Sequence, residues 1–400
     1  MSEASLLLAE LARLGIGIEA VAGQLQLDAP RGTLTPGLRD ALTRHKPELL
    51  VLLARSLDLS LFFFTSEESA DDKYRLLLDG ARFADAHGFA AVWTPERHFH
   101  PMGALFPNPS LVSVAVAAAT RRIGIRAGSV VLPLHDPLRV AEEWSVVDNL
   151  SRGRVGVSFA SGWHADDFVL APEKYVDRKR HMMEALAIVR KLWRGEVITR
   201  TSGSGAPVSV RTHPRPLQPE LPFWLTAIGN AETFKLAGDA GGNMLTCLLG
   251  QTVDELGAKI ALYRQHRAQA GLDPATGRVT VMVHAYIGDD LEATRALVGP
   301  PFRRYLGTTL DLLGNLAKTL GIDLDPRKFS EADRALLVSY AFDRYFETSA
   351  LFGTRETARE MLSRLRAIGA DEIACLVDFG LPFPIVMAGL ERLSELHGAR

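Results

Sequence analysis

The sequence has few of the features that mark disulfide-stapled, membrane-spanning or nucleic-acid-binding proteins. It contains only two cysteines. Both Cys247 and Cys375 lie in apolar, strand-like runs, so neither a disulfide framework nor a cysteine metal site is expected. No uninterrupted apolar run reaches the roughly 18 residues that a membrane span needs. The formal net charge is −2, and because the charges are interspersed, no nucleic-acid partner is expected.

The N-terminus also lacks the basic-then-apolar pattern of a signal peptide, because Glu3 and Glu10 interrupt it. No carboxylate and histidine pair recurs at helical spacing, so no metal site is expected. Hydrophobic residues make up 47% of the chain, which is enough for a core larger than that of one average domain. The sequence therefore predicts a cytoplasmic globular enzyme without a bound metal.

Residues 1–56 are predicted to form a small α+β unit. Apolar residues at helical spacing indicate a helix over 2–14, and alternation over 16–27 indicates a hairpin. Two further helices follow, over 37–44 and 46–54, the first opened by Thr35 and Pro36. Such a short unit is marginal alone and is often completed by a partner.

Three motifs of this unit carry a resemblance: Leu-Leu-Ala-Glu-Leu-Ala-Arg-Leu-Gly-Ile (7–16), Ala-Pro-Arg-Gly-Thr-Leu-Thr-Pro-Gly-Leu-Arg (29–39) and His-Lys-Pro-Glu-Leu-Leu (45–50). The unit resembles the TubC-type N-terminal docking domains of nonribosomal peptide synthetase and polyketide assembly lines. The resemblance implies that the hairpin edge, here about residues 16–28, receives an assembly-line subunit tail or carrier protein by β-strand addition. The alternative is a helical appendage that packs on the second unit.

Residues 57–400 alternate between strand and helix patterns. This alternation predicts a (β/α)8 TIM barrel. An open, doubly wound sheet is the second choice, since its Gly-x-Gly-x-x-Gly motif after the first strand is absent. The predicted strands are 59–65, 90–94, 123–132, 154–160, 223–227, 243–248, 279–287 and 373–378.

Two insertions interrupt this alternation. Residues 199–222 are rich in Gly, Ser and Pro and contain a possible hairpin at 208–213. Residues 298–350 are longer than a barrel helix needs and contain amphipathic pieces at 304–320 and 331–345. Both insertions are expected to lie over or beside the mouth of the barrel.

Function in such a barrel lies on the loops that follow the strands. These loops carry aromatic side chains at 63–64, histidines at 98 and 164, small residues at 128–129 and 160–162, and backbone donors at 227–229. The combination suits a planar heteroaromatic ligand that bears a phosphate.

Motifs in and around the same loops carry a second resemblance: Val-Trp-Thr-Pro-Glu-Arg-His-Phe-His-Pro-Met-Gly (92–103), Arg-Ala-Gly-Ser-Val-Val-Leu-Pro-Leu-His-Asp-Pro-Leu-Arg-Val-Ala-Glu-Glu-Trp (126–144) and Asp-Asn-Leu-Ser-Arg-Gly-Arg-Val-Gly-Val-Ser-Phe-Ala-Ser-Gly-Trp-His (148–164). The second unit resembles the luciferase-like flavin monooxygenases, in particular those of natural-product assembly lines. The resemblance implies reduced FMN (FMNH2) as cofactor, dioxygen (O2) as cosubstrate, a separate flavin reductase and a homodimer.

The resemblance also implies which residues bind the flavin. Gly128 and Ser129 match a non-prolyl cis peptide beneath the isoalloxazine ring. Arg178 matches a residue that closes over the phosphate with Tyr175, although a surface role for Arg178 is equally open. The full set of implied flavin-binding residues is Phe63, Gly128, Ser129, Ala160, Ser161, Tyr175, Arg178, Ala227, Ile228 and Gly229.

Glu96, Arg97 and His98 match the family's Glu-His-His loop, and Arg97 stands where the family has its first histidine. This difference argues against light emission and leaves the proton donor open. His98 is the first candidate for a general acid or peroxide-stabilising group, since imidazole titrates near neutral pH. His164 on the neighbouring loop is the second.

The function implied is an FMNH2- and O2-dependent monooxygenase that acts through a flavin C4a-(hydro)peroxide. The expected reaction is hydroxylation, N-oxidation, epoxidation or Baeyer–Villiger insertion on a carrier-protein-tethered intermediate. Two alternatives remain: an F420-dependent oxidoreductase on the same fold, and a non-catalytic docking scaffold of the assembly line.

Overall fold

The computed structural model describes residues 3–14, 16–21, 24–30, 32–54, 57–64, 72–319 and 329–398. The helices are α1 (Glu3–Arg13), α2 (Pro36–Arg44), α3 (Lys46–Ala54), α4 (Arg75–Ala86), α5 (Pro109–Ala119), α6 (Pro137–Ser151), α7 (Arg178–Arg194), α8 (Ala231–Asp239), α9 (Val253–Gln269), α10 (Leu291–Thr319), α11 (Glu331–Arg344), α12 (Arg355–Ala367) and α13 (Phe383–Ser394). The strands are β1 (Gly17–Val21), β2 (Gln24–Asp28), β3 (Asp58–Phe62), β4 (Ala91–Thr94), β5 (Gly124–Val131), β6 (Val155–Ala160), β7 (Ile198–Thr201), β8 (Pro207–Val210), β9 (Phe223–Thr226), β10 (Asn243–Cys247), β11 (Val279–Ile287), β12 (Leu351–Gly353) and β13 (Glu372–Leu376).

The N-terminal unit has the predicted helix, hairpin, helix, helix order. β1 and β2 pair antiparallel, and the Thr35 side chain caps α2 by accepting from Leu38 N at 3.3 Å. The turn residues of the predicted hairpin, Ala22 and Gly23, lie outside the described residues, as does Ser56 at the predicted boundary between the units. That boundary stays a prediction.

Eight parallel strands close into a barrel in the order β3, β4, β5, β6, β9, β10, β11, β13. The pairing of β10 with β11 and of β13 with β3 completes the ring. Strands such as β6 are buried along almost their whole length, because helices cover the outside of a parallel barrel and side chains fill its interior. The predicted (β/α)8 barrel is therefore confirmed. Thr65, in the first predicted strand, lies outside the described residues.

The small unit packs on the barrel at the amino ends of the strands. Barrel helices return the chain from the carboxyl ends of the strands to their amino ends, so α12 finishes just before β13 begins. Its last residue, Ala367, is 5% exposed and belongs to the apolar core of the small unit, together with Leu7, Leu11 and Leu49. The small unit is thus on the opposite face from the mouth, where the carboxyl ends of the strands meet.

The predicted location of the first insertion is wrong. Residues 199–222 contain the hairpin β7–β8 and follow α7, which has already carried the chain back to the amino ends. Gln218 Nε2 donates to Val155 O at the start of β6 (3.0 Å). Pro222 O accepts from Val157 N in the same strand (3.0 Å). This insertion therefore lies on the face away from the mouth.

The second insertion lies at the mouth, as predicted. α10 runs through Pro300 and Pro301, so it starts well before the predicted piece at 304–320, whose last residue, Leu320, lies outside the described residues. The Thr308 hydroxyl lies 3.7 Å from the sulfur of Met102, in the loop after β4. The sequence did not predict β12, which pairs with the carboxyl end of β11.

A buried carboxylate organises the barrel interior below the mouth. Glu372 accepts hydrogen bonds from Ser60 (2.6 Å), Trp93 (2.9 Å), Arg126 (2.5 Å) and Arg278 (2.8 Å). Burial alone would raise the pKa of Glu372, but the two guanidinium groups and these hydrogen bonds lower it to about 2. The interior is therefore a packed polar layer that supports the strand ends above it. In the described parts of the chain, no helix is long and apolar enough to cross a membrane.

Candidate active site

The barrel brings the predicted site residues to neighbouring strand ends. β4 pairs with β5, β5 with β6, and β6 with β9. Glu96, Ser129, Ser161 and Ala227 therefore lie at or just after the ends of four consecutive strands around the mouth. Phe63 follows β3, and its backbone N–H donates to Trp93 O on β4 (3.1 Å). All of the predicted loops thus lie along one continuous arc of the mouth.

Glu96 joins the loops after β4 and β5. Its Oε1 accepts from His98 Nε2 (2.8 Å) and from His135 Nε2 (2.6 Å), and its Oε2 accepts from Val131 N (2.7 Å). Burial would raise the pKa of Glu96, but the hydrogen bonds from His135 and His98 lower it below its ordinary value. Burial would lower the pKa of His135, and the Glu96 carboxylate raises it. The carboxylate is thus held ionised between two imidazoles.

Arg97 is buried beside Asp167 in an incompletely bonded cluster. Its Nη1 donates to Asp167 Oδ2 at 3.0 Å, and both side chains are at most 6% exposed. The guanidinium also lies over the Trp163 ring, 5.4 Å from the centroid. Burial lowers the pKa of Arg97, although the charge of Asp167 opposes the shift.

Four buried polar atoms of this cluster have no hydrogen-bond partner among the described residues: Arg97 Nε and Nη2, His164 Nδ1 and Asp167 Oδ1. His164 Nδ1 is 3.6 Å from Asp167 Oδ1, beyond good hydrogen-bond distance. Because a buried unpaired polar group is costly, this concentration of such atoms makes the cluster a candidate site for a polar ligand group. Sequence reasoning missed Asp167, although the Asp166–Asp167 pair directly after the His164 motif was a usable signal.

His100 adjoins this cluster and differs from His98 in its bonding. Its Nδ1 accepts from Met102 N (3.1 Å), and its ring centroid lies 6.4 Å from that of His164. Burial and the nearby Arg97 lower the pKa of His100. His100 is therefore a neutral group at neutral pH, with Nε2 as its protonated nitrogen.

The floor of the site is the backbone at Gly128 and Ser129. The peptide bond between them is cis, as the resemblance implied. Ser129 Oγ and Thr226 Oγ1 are 2.5 Å apart, and Thr226 Oγ1 is 2.6 Å from Ser158 Oγ. A Cβ atom at Gly128 would lie 2.7 Å from Phe62 Cε2, so only glycine fits there. These hydroxyl contacts hold β5, β6 and β9 together under the floor.

A possible phosphate end lies farther along the arc. Arg178 Nε donates to Gly162 O (2.9 Å), its Nη1 donates to Tyr175 O (3.0 Å), and its guanidinium stacks 4.7 Å from the centroid of the Tyr175 ring. Arg178 is thus not a free surface residue: it ties the loop after β6 to the start of α7. Ser161, next to Gly162, is half-buried.

A second cation, on α9, adjoins the loop before α8 at this end. Gln251 Nε2 donates to Ile228 O (2.5 Å), and Lys259 Nζ donates to Gln251 Oε1 (2.7 Å). A Cβ atom at Gly229 would lie 3.7 Å from Lys259 Nζ, so the ammonium adjoins this loop. Sequence reasoning missed Lys259 because it lies on α9, where no local pattern separates it from a solvated surface lysine.

Comparison with known proteins adds the family context. Residues 58–372 match the family model of luciferase-like monooxygenases, and residues 5–54 match that of the TubC N-terminal docking domain. Both resemblances noted in the sequence are confirmed, and the N-terminal unit is a docking domain rather than a plain helical appendage.

Individual relatives are more distant. The chain is 23% identical over 336 residues to the oxygenase component of a flavin-dependent trigonelline monooxygenase from Acinetobacter baylyi, with 82% of this chain and 90% of that protein covered. It is 28% identical over 245 residues to the 4-hydroxyprotoasukamycin monooxygenase of Streptomyces nodosus subsp. asukaensis, with 59% and 65% covered. The crystal structure of the monooxygenase RslO1 from Streptomyces bottropensis has the same fold, with a TM-score of 0.69 and 24% identity over 85% of this chain and 98% of that chain.

Proposed function

The chain belongs to the luciferase-like monooxygenase family, and on this premise we propose that it uses reduced FMN to transfer one oxygen atom from dioxygen to an organic substrate. One observation carries the proposal. The backbone at Gly128 and Ser129 on β5 lies between the loop that carries Arg97 and the loop that carries His164, where four buried polar atoms have no hydrogen-bond partner among the described residues.

The residues present fit FMN. Small side chains at Ala160 and Ser161, half-buried at the carboxyl end of β6, suit the close approach of a flat ring system to the strand ends. Arg178 and Lys259 supply positive charge at the β6 and β9 ends of the arc, which suits a phosphate. The trigonelline relative is named as a flavin-dependent oxygenase component, which supports a flavin and a separate reductase for this chain too.

Reduced FMN, when bound, supplies the electrons that activate dioxygen. The chain's own residues orient the flavin, exclude water and hold protons. Glu96 Oε1 accepts from His98 Nε2 and so fixes this ring. With Nε2 carrying that proton, His98 would act as the first proton donor through Nδ1 in its doubly protonated form. Arg97 and His164 bind the polar edge of the flavin or substrate. The reaction is a hydroxylation, N-oxidation, epoxidation or Baeyer–Villiger insertion.

The docking domain supports a substrate tethered to a carrier protein of a nonribosomal peptide or polyketide assembly line. Most residues of β2, Leu27 included, are exposed, which leaves this strand open to a partner's tail or a carrier protein.

The large apolar side chains of Leu111 on α5 and of Val146 and Leu150 on α6 are also exposed, and we propose that these helices form the interface of a homodimer. Both cysteines are free thiols, in keeping with the reducing cytoplasm.

One experiment tests the proposed function. Full-length protein is mixed without oxygen with photoreduced FMN and acyl- or aminoacyl-loaded carrier proteins, and oxygenated buffer is then added. We expect dioxygen consumption and, by mass spectrometry, a gain of one oxygen atom on the carrier-bound group. Binding of reduced F420 in preference to reduced FMN would support the F420-dependent alternative, and binding of neither would support the scaffold.

A matched pair of variants tests the proposed phosphate end. Arg178→Gln should weaken FMN binding about tenfold, the effect of a lost charge-assisted hydrogen bond, and leave riboflavin binding unchanged because riboflavin has no phosphate. Arg180→Gln, two residues on and exposed, is the control. Equal weakening of both flavins by Arg178→Gln would show that Arg178 only shapes the loop.

A further inference from the structure

A second buried group without a partner lies on the other side of the mouth. His284, on β11, is 6% exposed, and its Nε2 has no hydrogen-bond partner among the described residues. The side chain is in register with Leu376 on β13, near the carboxyl ends of both strands. A buried imidazole nitrogen without a partner is costly unless a ligand completes it.

Four aromatic rings surround His284. The distances between ring centroids are 4.7 Å to Phe302, 5.1 Å to Tyr305, 5.5 Å to Tyr345 and 6.2 Å to Phe379, and all four contacts are edge-to-face. We call His284 and these four rings the aromatic cage. Edge-to-face geometry is the preferred packing of aromatic groups, so the immediate surroundings of His284 are aromatic.

The aromatic cage adjoins the proposed active site. Its residue Phe379 follows Asp378, whose carboxylate accepts from Phe64 N at 2.8 Å, directly after Phe63. From the opposite side, α10 carries two cage rings, and its Thr308 contacts Met102 in the histidine-bearing loop. One group bound across the mouth would therefore touch both the cage and the loop after β4.

Three of the four rings are not part of the barrel. Phe302 and Tyr305 lie on α10, and Tyr345 begins the π-helical turn Tyr345–Ser349 that follows α11. Such turns are frequent at functional sites. Since His284 Nε2 is buried, a ligand that bonded to it would need these elements to shift, whereas His284 itself lies on a barrel strand.

The cage is electrically neutral at His284. Burial lowers the pKa of His284 to about 3, and no neighbouring charge contributes to the shift. The imidazole is therefore uncharged at neutral pH and offers one N–H donor and one acceptor. The imidazole itself therefore supplies no charge to pair with a carboxylate or ammonium group.

We propose that the aromatic cage is the substrate-recognition site of the oxygenase, and that it takes an aromatic or conjugated group carrying a neutral carbonyl or hydroxyl oxygen bonded to His284 Nε2. The proposal rests on the proposed function for the reaction itself but not for binding. Recognition therefore depends on a single neutral hydrogen bond inside an apolar cage.

Two probes of almost equal shape test this inference. Acetophenone has the carbonyl oxygen and ethylbenzene lacks it. Their dissociation constants are measured on the full chain without flavin, from changes in the ring 15N signals of His284. These signals are assigned by their absence in the His284→Phe variant. In that variant, probe binding is measured instead from the saturation-transfer signals of the probes. Wild type should bind acetophenone about fivefold tighter, the factor for one neutral hydrogen bond.

Three variants complete the test. His284→Phe should bring the affinity ratio close to one, and His284→Gln should restore part of it because an amide can donate and accept. His87→Phe, at the exposed histidine that caps the C-terminus of α4, should leave the ratio unchanged. Equal binding of both probes by wild type, binding of neither, or an unchanged ratio in His284→Phe overturns the proposal. Because flavin is absent, failure of the oxygenase assay with this ratio intact would refute the proposed function and leave the cage standing.

Discussion

Glu96 Oε1 lies 2.6 Å from His135 Nε2, so the carboxylate after the second barrel strand holds the imidazole that follows the third. The same oxygen holds His98. One buried carboxylate thereby fixes the relative position of two loops and the orientation of the first candidate proton donor.

This pair should make stability depend on pH in a definite direction. The pKa of His135 is raised above 6.5, so its contribution is complete below pH 6.5 and is lost as the pH rises through the folded-state value. The pKa of Glu96 is lowered below 4.5, so its contribution is complete above pH 4.5 and is lost as the pH falls. The Glu96→Gln substitution should therefore lower the free energy of unfolding most between pH 4.5 and pH 6.5, by about 2 kcal/mol. Urea titrations at several pH values measure this loss. A cost that is flat from pH 4 to 9 would contradict this.

Replacing His98 should uncouple the proposed reaction. His98→Ala removes the proton donor that Glu96 orients, so product yield should fall about 100-fold, while hydrogen peroxide release rises. His100→Ala, in the same loop, should lower the product yield much less, because His100 Nδ1 already accepts a hydrogen bond from Met102 N. Peroxide and product are measured in the same turnover. An unchanged product-to-peroxide ratio in His98→Ala would rule out the role.

Breaking the Arg97–Asp167 pair should destabilise the protein strongly. Asp167→Asn leaves a guanidinium that is 3% exposed without its counter-charge, and the free energy of unfolding should fall by about 3 kcal/mol. Asp177→Asn, which removes the exposed partner of Arg180, should change stability little. Urea denaturation of both variants at one pH compares them directly, and equal losses would mean that burial of the pair does not matter.

A methyl group at Gly128 should disturb the floor. In Gly128→Ala the new Cβ meets Phe62 at 2.7 Å and Trp93 at 3.0 Å, which should cost about 1–3 kcal/mol of stability and weaken flavin binding. Gly37→Ala, on α2 with no atom within 4 Å of the new Cβ, should be neutral or stabilising. Thermal melts and flavin fluorescence titrations check both. Wild-type flavin affinity in Gly128→Ala would argue against a flavin resting on this floor.

The contact between the docking domain and the barrel depends on Ala367. A charge at this position would be buried in the core shared with Leu7, Leu11 and Leu49, so Ala367→Glu should release the docking domain. Limited proteolysis should then cut faster between residues 54 and 58. Ser363→Glu, at an exposed position of the same helix, is the control. Equal cleavage of both variants would mean that the contact contributes little.

The barrel could be predicted from the sequence because its eight strands are short apolar runs separated by helical patterns. β12 was missed because it has three residues inside a long helical stretch. The predicted face of the insertion at 199–222 is wrong because the insertion follows α7 and not a strand. By the end of α7 the chain has already returned to the amino ends of the strands. Hydrophobic periodicity therefore predicts the main strands and helices, but it does not show on which face of the barrel an insertion lies or reveal a strand of three residues.

The positions of the candidate site residues at strand ends, such as Glu96 and Gly128, could be predicted because the strands themselves could be predicted. Asp167, Lys259 and His284 depend on tertiary proximity instead. Asp167 becomes notable only when Arg97 from another strand lies beside it, and His284 only when rings from α10 enclose it. Local spacing carries no signal for such pairs.

The placement of the docking domain on the far face of the barrel has a kinetic consequence. A partner subunit bound to the docking domain would leave the mouth of the barrel open, so partner binding and turnover would not compete for space. If the bound partner carries the substrate, as proposed, the docking domain would act as a tether that raises the effective concentration of that substrate, on the order of millimolar for a short flexible linker. Catalysis of an untethered guest would proceed with the same chemistry but with far fewer encounters.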